Sequence, residues 1–100
     1  MFRPGRFAGV IDAQLELFRS DHRDVIEDVE QHLRSYNEAS REEAEELYGD
    51  YVDAVDVGIE LLADLRDHFA RTLDEPDRYI DEFNRAVARQ LPEFARVSHA

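Results

Sequence analysis

Residues 40–72, SREEAEELYGDYVDAVDVGIELLADLRDHFART, carry the pattern that decides the fold. The stretch opens with a capping box, in which Ser40 and Glu43 would each hydrogen-bond the other's free backbone N–H group. Apolar positions then recur in alternating steps of four and three, which is typical of a helix that packs along another helix. These positions are Ala44, Tyr48, Tyr51, Val55, Gly58, Leu62, Leu65, Phe69 and Thr72. The stretch therefore predicts a long helix over about residues 41–74.

A second apolar series precedes this stretch and also advances in steps of three and four. It consists of Phe7, Ile11, Leu15, Phe18, His22, Val25, Val29, Leu33 and Tyr36. Only His22 interrupts its apolar character, and Ser20 and Asp21 could cap a second helix at that point. Because the series continues in phase across His22, we expect one helix over about residues 6–36, bent there at most.

A shorter third helix is predicted over about residues 76–91. Pro76 suits the first turn of a helix, and Pro92 ends the apolar face that follows it. In the tail, residues 92–100, Phe94 and Val97 could dock on the helices, whereas the last three residues are expected to fray. The whole chain, 1–100, is predicted to be a single helical domain.

The turn between the first two helices is short, so they should lie antiparallel. Pairing Leu33 with Ala44 places the large ring of Phe18 opposite Gly58, which would give this helical glycine a packing reason. The predicted fold class is therefore all-α: a long antiparallel helical hairpin with a shorter third helix, a three-helix bundle. The third helix covers only part of the hairpin, so we expect self-association into a four-helix or larger bundle.

The composition is acidic and free of cysteine, with 24 carboxylates against 12 basic residues and a net charge of −12. Disulfides and thiolate-bound metals are thereby excluded. An acidic ridge follows the second helix and consists of Glu46, Asp50, Asp53, Glu60, Asp64 and Asp67. We interpret it as a solvated face or as a surface for a basic partner. Direct binding of nucleic acid is not expected, because phosphates require a basic surface.

Two Asp-x-x-x-His pairs, Asp28 with His32 and Asp64 with His68, each place a carboxylate and an imidazole on one helix face. The antiparallel register puts the two pairs toward opposite ends of the hairpin, so they cannot share an ion within one chain. We interpret them as surface pairs and predict no cofactor, with a metal site as the alternative. His22 is interpreted as a packed histidine, with a pH sensor as its alternative.

Catalytic motifs are missing from the chain. There is no cysteine nucleophile, the four serines fall at predicted caps, turns and the tail, and no glycine-rich phosphate loop occurs. No stretch approaches the length of uncharged residues needed to cross a membrane, and the N-terminal residues lack the apolar region of a leader. The sequence therefore predicts a cytoplasmic protein that is not an enzyme and does not bind membranes.

Three stretches resemble segments of small acidic all-helical proteins from high-GC actinobacteria. They are YGDY at Tyr48–Tyr51, LADLRD at Leu62–Asp67 and FNRAV at Phe83–Val87. The resemblance covers mainly the second and third predicted helices. It implies a bacterial, cytoplasmic setting and no site residues.

The function predicted from these features is a non-catalytic protein–protein interaction or assembly module that forms a homodimer or binds another protein. The first alternative is a carboxylate/histidine metal-binding bundle, similar in style to ferritin-like proteins. The second is an acidic mimic of nucleic acid that occupies a basic site on another protein.

Overall fold

Four α-helices and a C-terminal 3-10 helix make up the part of the chain that the computed structural model describes, residues 5–100. The all-α class is confirmed, since these residues contain no strand. The first four residues, which belong to the stretch predicted to lack a leader, lie outside the described part. The α-helices are α1 (Ala8–Asp21), α2 (Arg23–Asn37), α3 (Ala44–Ala70) and α4 (Pro76–Gln90), and the 3-10 helix spans Pro92–His99.

The first predicted helix is in fact two helices, because the backbone leaves the helical conformation at His22, with φ −122° and ψ 37°. Hydrogen bonding runs almost unbroken through the bend: the His22 N–H donates to the Phe18 carbonyl, and the His22 carbonyl accepts from Val25 and Ile26. The apolar phase is therefore kept across the break, and the spacing alone could not show it. The neighbours differ, however, since α2 packs along α3 whereas α1 packs against α4.

The turn before α3 is longer than predicted and occupies residues 38–43. The Glu43 carboxylate accepts hydrogen bonds from the Ser40 N–H (3.4 Å) and hydroxyl (2.8 Å). The N–H of Glu43 donates to the carbonyl oxygen of Ser40 and not to its side chain (3.1 Å). One half of the predicted capping box is thus present, but it closes the turn, and the helix begins at Ala44, three residues later than predicted.

The longer turn also shifts the register between α2 and α3. The ring of Tyr48 lies 5.3 Å from that of Tyr36, whereas the predicted register, which pairs Leu33 with Ala44, would place it against Val29. The shift is seven residues, or about two helical turns, which leaves the same faces in contact. The antiparallel arrangement of α2 and α3 was therefore predicted correctly and the register was wrong.

The C-terminal 3-10 helix occupies the position against α3 that the sequence predicted for the first half of the first helix. It contacts both α3 and α4. Phe94 and Val97 are fully buried, so these two residues do dock, as the sequence suggested. Gly58 faces Phe94 and not Phe18: a Cβ atom on Gly58 would come within 2.8 Å of the Phe94 Cζ atom. The Phe18 ring meets Phe94 edge-on at 5.9 Å.

The hydrophobic core occupies only one end of an elongated molecule of 51 × 31 × 23 Å. From residue 30 to residue 53 no residue is buried, so the α2–α3 hairpin projects from the core as a two-helix tip. We call residues 30–53 the uncovered tip. The core side chains are Ile11, Leu15, Phe18, Val29, Ala54, Val55, Ile59, Leu62, Ala63, Ala70, Tyr79, Phe83, Ala86, Val87, Leu91, Phe94 and Val97.

One charged residue, Arg66, is buried within this core, with 4% of its surface exposed. Its guanidinium group donates to the carbonyl oxygens of Val97 (2.8 Å) and Ala100 (3.0 Å) and to the Asn84 side chain (2.9 Å). Its Nε atom lies 2.8 Å from the half-exposed Asp67 carboxylate. Arg66 therefore ties the C-terminal segment to α3 and α4.

The contact between Gly58 and Phe94 leads to a first prediction. Replacing Gly58 with alanine should lower the free energy of unfolding by about 1–3 kcal/mol, because the added methyl group overlaps a buried ring. Gly49→Ala is the matched control on the same helix, since no atom lies within 4 Å of its added Cβ. That substitution should be neutral or stabilising by up to about 1 kcal/mol. Urea denaturation measures both; equal stability of the two variants would contradict the packing described.

Candidate interaction surface

The acidic ridge lies along the outside of α3. Five of its six carboxylates are exposed, and Asp67 is held by Arg66. The exposed members are Glu46, Asp50, Asp53, Glu60 and Asp64. These five side chains are exposed on one outer side of α3, and a role of the ridge in binding a partner stays a prediction.

Asp50 and Asp53 line a shallow groove between α2 and α3. Across it lie Asp28 and His32 on α2, whose side chains are 3.4 Å apart. The floor of the groove is apolar, formed by buried Ala54 and by Val57, which is 49% exposed. We call this the hairpin groove. Its lining residues are Asp28, His32, Asp50, Asp53, Ala54 and Val57.

A second groove lies at the bend between α1 and α2. His22 lines it, and its ring lies 5.4 Å from that of Phe18, so the residue is half-buried beside Leu61 and Leu65. The predicted register, which pairs Leu33 with Ala44, would instead have placed His22 against Val55. We call this the bend groove. Its lining residues are Leu17, Phe18, Asp21, His22, Leu61 and Leu65.

The two grooves belong to one side of the molecule, because Val57, Leu61 and Leu65 follow one another at four-residue spacing along α3. We call the two grooves together the acidic face. Four of the twelve residues that line them are aspartates and none is an arginine. The face thus joins an apolar floor to a negatively charged rim.

The opposite side of the uncovered tip is apolar as well. Tyr48 is 51% exposed and Leu33 39% exposed, and helical spacing places both on the side away from the hairpin groove. The rings of Tyr36, Tyr48 and Tyr51 form a chain, with centroids 5.3 Å and 6.2 Å apart. We call Leu33 and Tyr48 the tip face.

The two candidate metal pairs do not come together. Asp28 and His32 face Asp50 and Asp53, whereas Asp64 and His68 are exposed farther along α3. Asp64 is eleven residues beyond Asp53, which amounts to about 16 Å along a helix. Within residues 5–100 no three histidine or carboxylate side chains are arranged to hold a metal ion.

Burial changes the pKa of a core tyrosine, Tyr79. Tyr79 is fully buried and its hydroxyl donates to Gln14 (2.8 Å). Burial raises its pKa from 10.0 to about 12, so the phenol stays protonated at neutral pH. A phenol with this pKa suits a structural hydrogen bond between α1 and α4.

Two residues of the acidic face, Leu17 and Val57, were not singled out from the sequence. Leu17 lies outside the apolar series of its helix, and Val57 lies between two members of the α3 series. Their exposure, 56% and 49%, depends on how the helices pack and not on the local spacing of apolar residues. Their only sequence signal was a large apolar side chain outside the predicted apolar series.

No family model, curated protein or solved structure matches the chain. The resemblance to actinobacterial proteins therefore stays a prediction. No helix within the described residues is both long enough and apolar enough to cross a bilayer.

Proposed function

We propose that the protein is a non-catalytic assembly module that self-associates through the uncovered tip of its α2–α3 hairpin. The observation that carries this proposal is the run of residues 30–53 without a buried side chain. In this stretch the two helices cover only each other. Two helices bury one stripe each and leave apolar side chains half in water, which a further layer of helices would cover.

A second copy of the chain supplies that layer directly. Two hairpins placed with their tip faces together make a four-helix arrangement with two-fold symmetry, in which each face meets its own copy. Leu33 and Tyr48 would then leave water, and tyrosines are well suited to such a boundary because their rings pack while their hydroxyls reach the edge.

The charge of the hairpin gives this association a distinctive salt dependence. Residues 23–53 carry three arginines against eleven carboxylates, a net charge of −8. Two such hairpins repel one another, and salt screens the repulsion over a Debye length of about 10 Å at 0.1 M ionic strength. The dimer should therefore tighten as salt is added.

Light scattering across a dilution series tests the proposal. We expect a dimer whose dissociation constant falls by about threefold to tenfold between about 50 mM and about 500 mM NaCl. Leu33→Gln combined with Tyr48→Gln should give a monomer of unchanged helicity, because both side chains are exposed. Leu17→Gln, on the acidic face, is the control that should leave the dimer intact. A monomer at every concentration and salt level would contradict the proposal.

The metal-binding bundle and the nucleic-acid mimic stay predictions from the sequence. The open hairpin groove around His32 does not favour the first. The apolar side chains that interrupt the carboxylates on the acidic face do not favour the second.

A further inference from the structure

We propose that the acidic face is a docking site for a basic amphipathic helix of another protein. This surface is distinct from the tip face, so the inference goes beyond the proposed self-association and does not depend on it. It rests on three features of the face: its exposed apolar row, its one-sided charge and its dimensions.

The apolar row is the first feature. Leu17 and Val57 are about half exposed, and Leu61 and Leu65 are half-buried between them. A solvated ridge that served only solubility would have no need of large apolar side chains between its carboxylates. A groove that presents apolar side chains at four-residue intervals matches the apolar stripe of an amphipathic helix.

The charge selects the kind of helix. Asp21, Asp28, Asp50 and Asp53 rim the two grooves, and the exposed Glu60 and Asp64 continue the rim along α3. Lysine or arginine residues that flank the apolar stripe of a partner would meet carboxylates on both sides. A second copy of this chain fits poorly, because its corresponding face carries the same negative charge.

The two arginines that flank Asp21 and His22 in the sequence do not neutralise the acidic face. Arg19 and Arg23 line a different groove, together with Ser20 and Ile26, and Arg19 donates to Gln90 of α4 (3.2 Å). The residues that line the two grooves therefore include no arginine to neutralise the negative rim.

The dimensions set the length of the partner. The face extends along α3 from Asp50 to Leu65, fifteen residues or about 22 Å of helix. A partner helix of about four turns would cover it. Apolar residues at positions i, i+4, i+7 and i+11 would then meet both grooves.

The probe is a synthetic peptide of about fourteen residues with leucines at those positions and lysines and arginines on the flanks. A peptide of the same composition, scrambled so that no helical face is apolar, measures attraction to net charge alone. By titration calorimetry we expect the amphipathic peptide to bind at least about tenfold more tightly than the scrambled one. Its affinity should fall as salt is added, opposite to the behaviour proposed for the dimer. Equal binding of the two peptides would overturn the proposal.

Matched variants locate the binding site. Asp50→Asn combined with Asp53→Asn should weaken peptide binding by about tenfold, whereas Glu38→Gln with Glu42→Gln, which removes the same charge at the exposed turn, should change it less than about twofold. Leu17→Gln combined with Val57→Gln should also weaken peptide binding by about tenfold. Equal effects of the two charge-removing pairs would overturn the proposal.

The outcomes for the two surfaces are separable. Loss of self-association in the Leu17 and Val57 variant would show that a second copy occupies the acidic face, and would overturn the present assignment. A chain that is monomeric under all conditions yet binds the peptide would refute the proposed self-association and leave this inference standing.

Discussion

Replacing Phe94 with alanine is expected to lower the free energy of unfolding by about 3–5 kcal/mol. The ring has no exposed surface, and it fills the space above Gly58 while meeting the Phe18 ring edge-on. Removing it leaves a cavity bordered by α1, α3 and the 3-10 helix, where backbone on several sides limits collapse. Domains of this size have about 5–15 kcal/mol of stability, so the loss is a large part of the total.

Urea denaturation followed by circular dichroism measures this change, and a double-mutant cycle with Gly58→Ala shows its cause. Once the Phe94 ring is gone, the methyl group at residue 58 has room, so the two substitutions should couple by at least about 1 kcal/mol. Phe94→Leu should cost less than Phe94→Ala, because it keeps most of the apolar contact. A loss below about 1 kcal/mol for Phe94→Ala would show that the tail is not part of the core.

The elements that could be predicted are those set by local spacing. The four-three pattern of residues 44–69 gave α3 and the buried side of the helix, and Pro76 and Pro92 marked the limits of α4 to within one or two residues. The acidic ridge follows from the same spacing, because side chains three or four residues apart share a helix face whatever packs opposite.

The predictions that proved wrong concern which helix packs against which. The bend at His22 preserves the apolar phase, so one straight helix and two bent ones have the same sequence pattern. The register of α2 against α3 repeats every seven residues, and a few extra residues in the turn were enough to move Tyr48 from Val29 to Tyr36. Both grooves of the acidic face depend on these two features, which is why they could not be predicted.

The burial of the C-terminal tail could not be predicted from local sequence patterns either. Pro92–His99 is short and only half of its residues are apolar. Its burial depends on Phe94, on Val97 and on Arg66, which lies 26 residues before Pro92. An arginine in a helical sequence ordinarily indicates a solvated position. Nothing in the spacing shows that main-chain oxygens more than 30 residues away will surround it.

Replacing Arg66 with methionine is the second substitution expected to have a large effect, a loss of about 2–4 kcal/mol in the free energy of unfolding. Methionine retains much of the apolar stem but gives up the bonds to Asn84, Val97 and Ala100. Hydrogen bonds to charged groups contribute about 1.5–3 kcal/mol each. The methionine variant no longer has the cost of burying a guanidinium group, which offsets part of that sum. Arg66→Lys should recover less than half of the loss, since an ammonium group cannot reach three acceptors in the same geometry.

The location of the effect distinguishes this anchoring role from a general loss of packing. In the Arg66→Met variant, amide hydrogen exchange should accelerate in residues 92–99 by more than global destabilisation accounts for, because the 3-10 helix loses its attachment to α3. Arg85→Met is the matched control: Arg85 is exposed and pairs with Asp81 on the surface, so its loss should change stability by less than about 0.5 kcal/mol. Buried charged groups can be replaced by apolar ones at no cost in some proteins. If Arg66→Met proved as stable as the control, the hydrogen bonds of Arg66 would only offset the cost of burying it, and the docking of the tail would rest on Phe94 and Val97 alone.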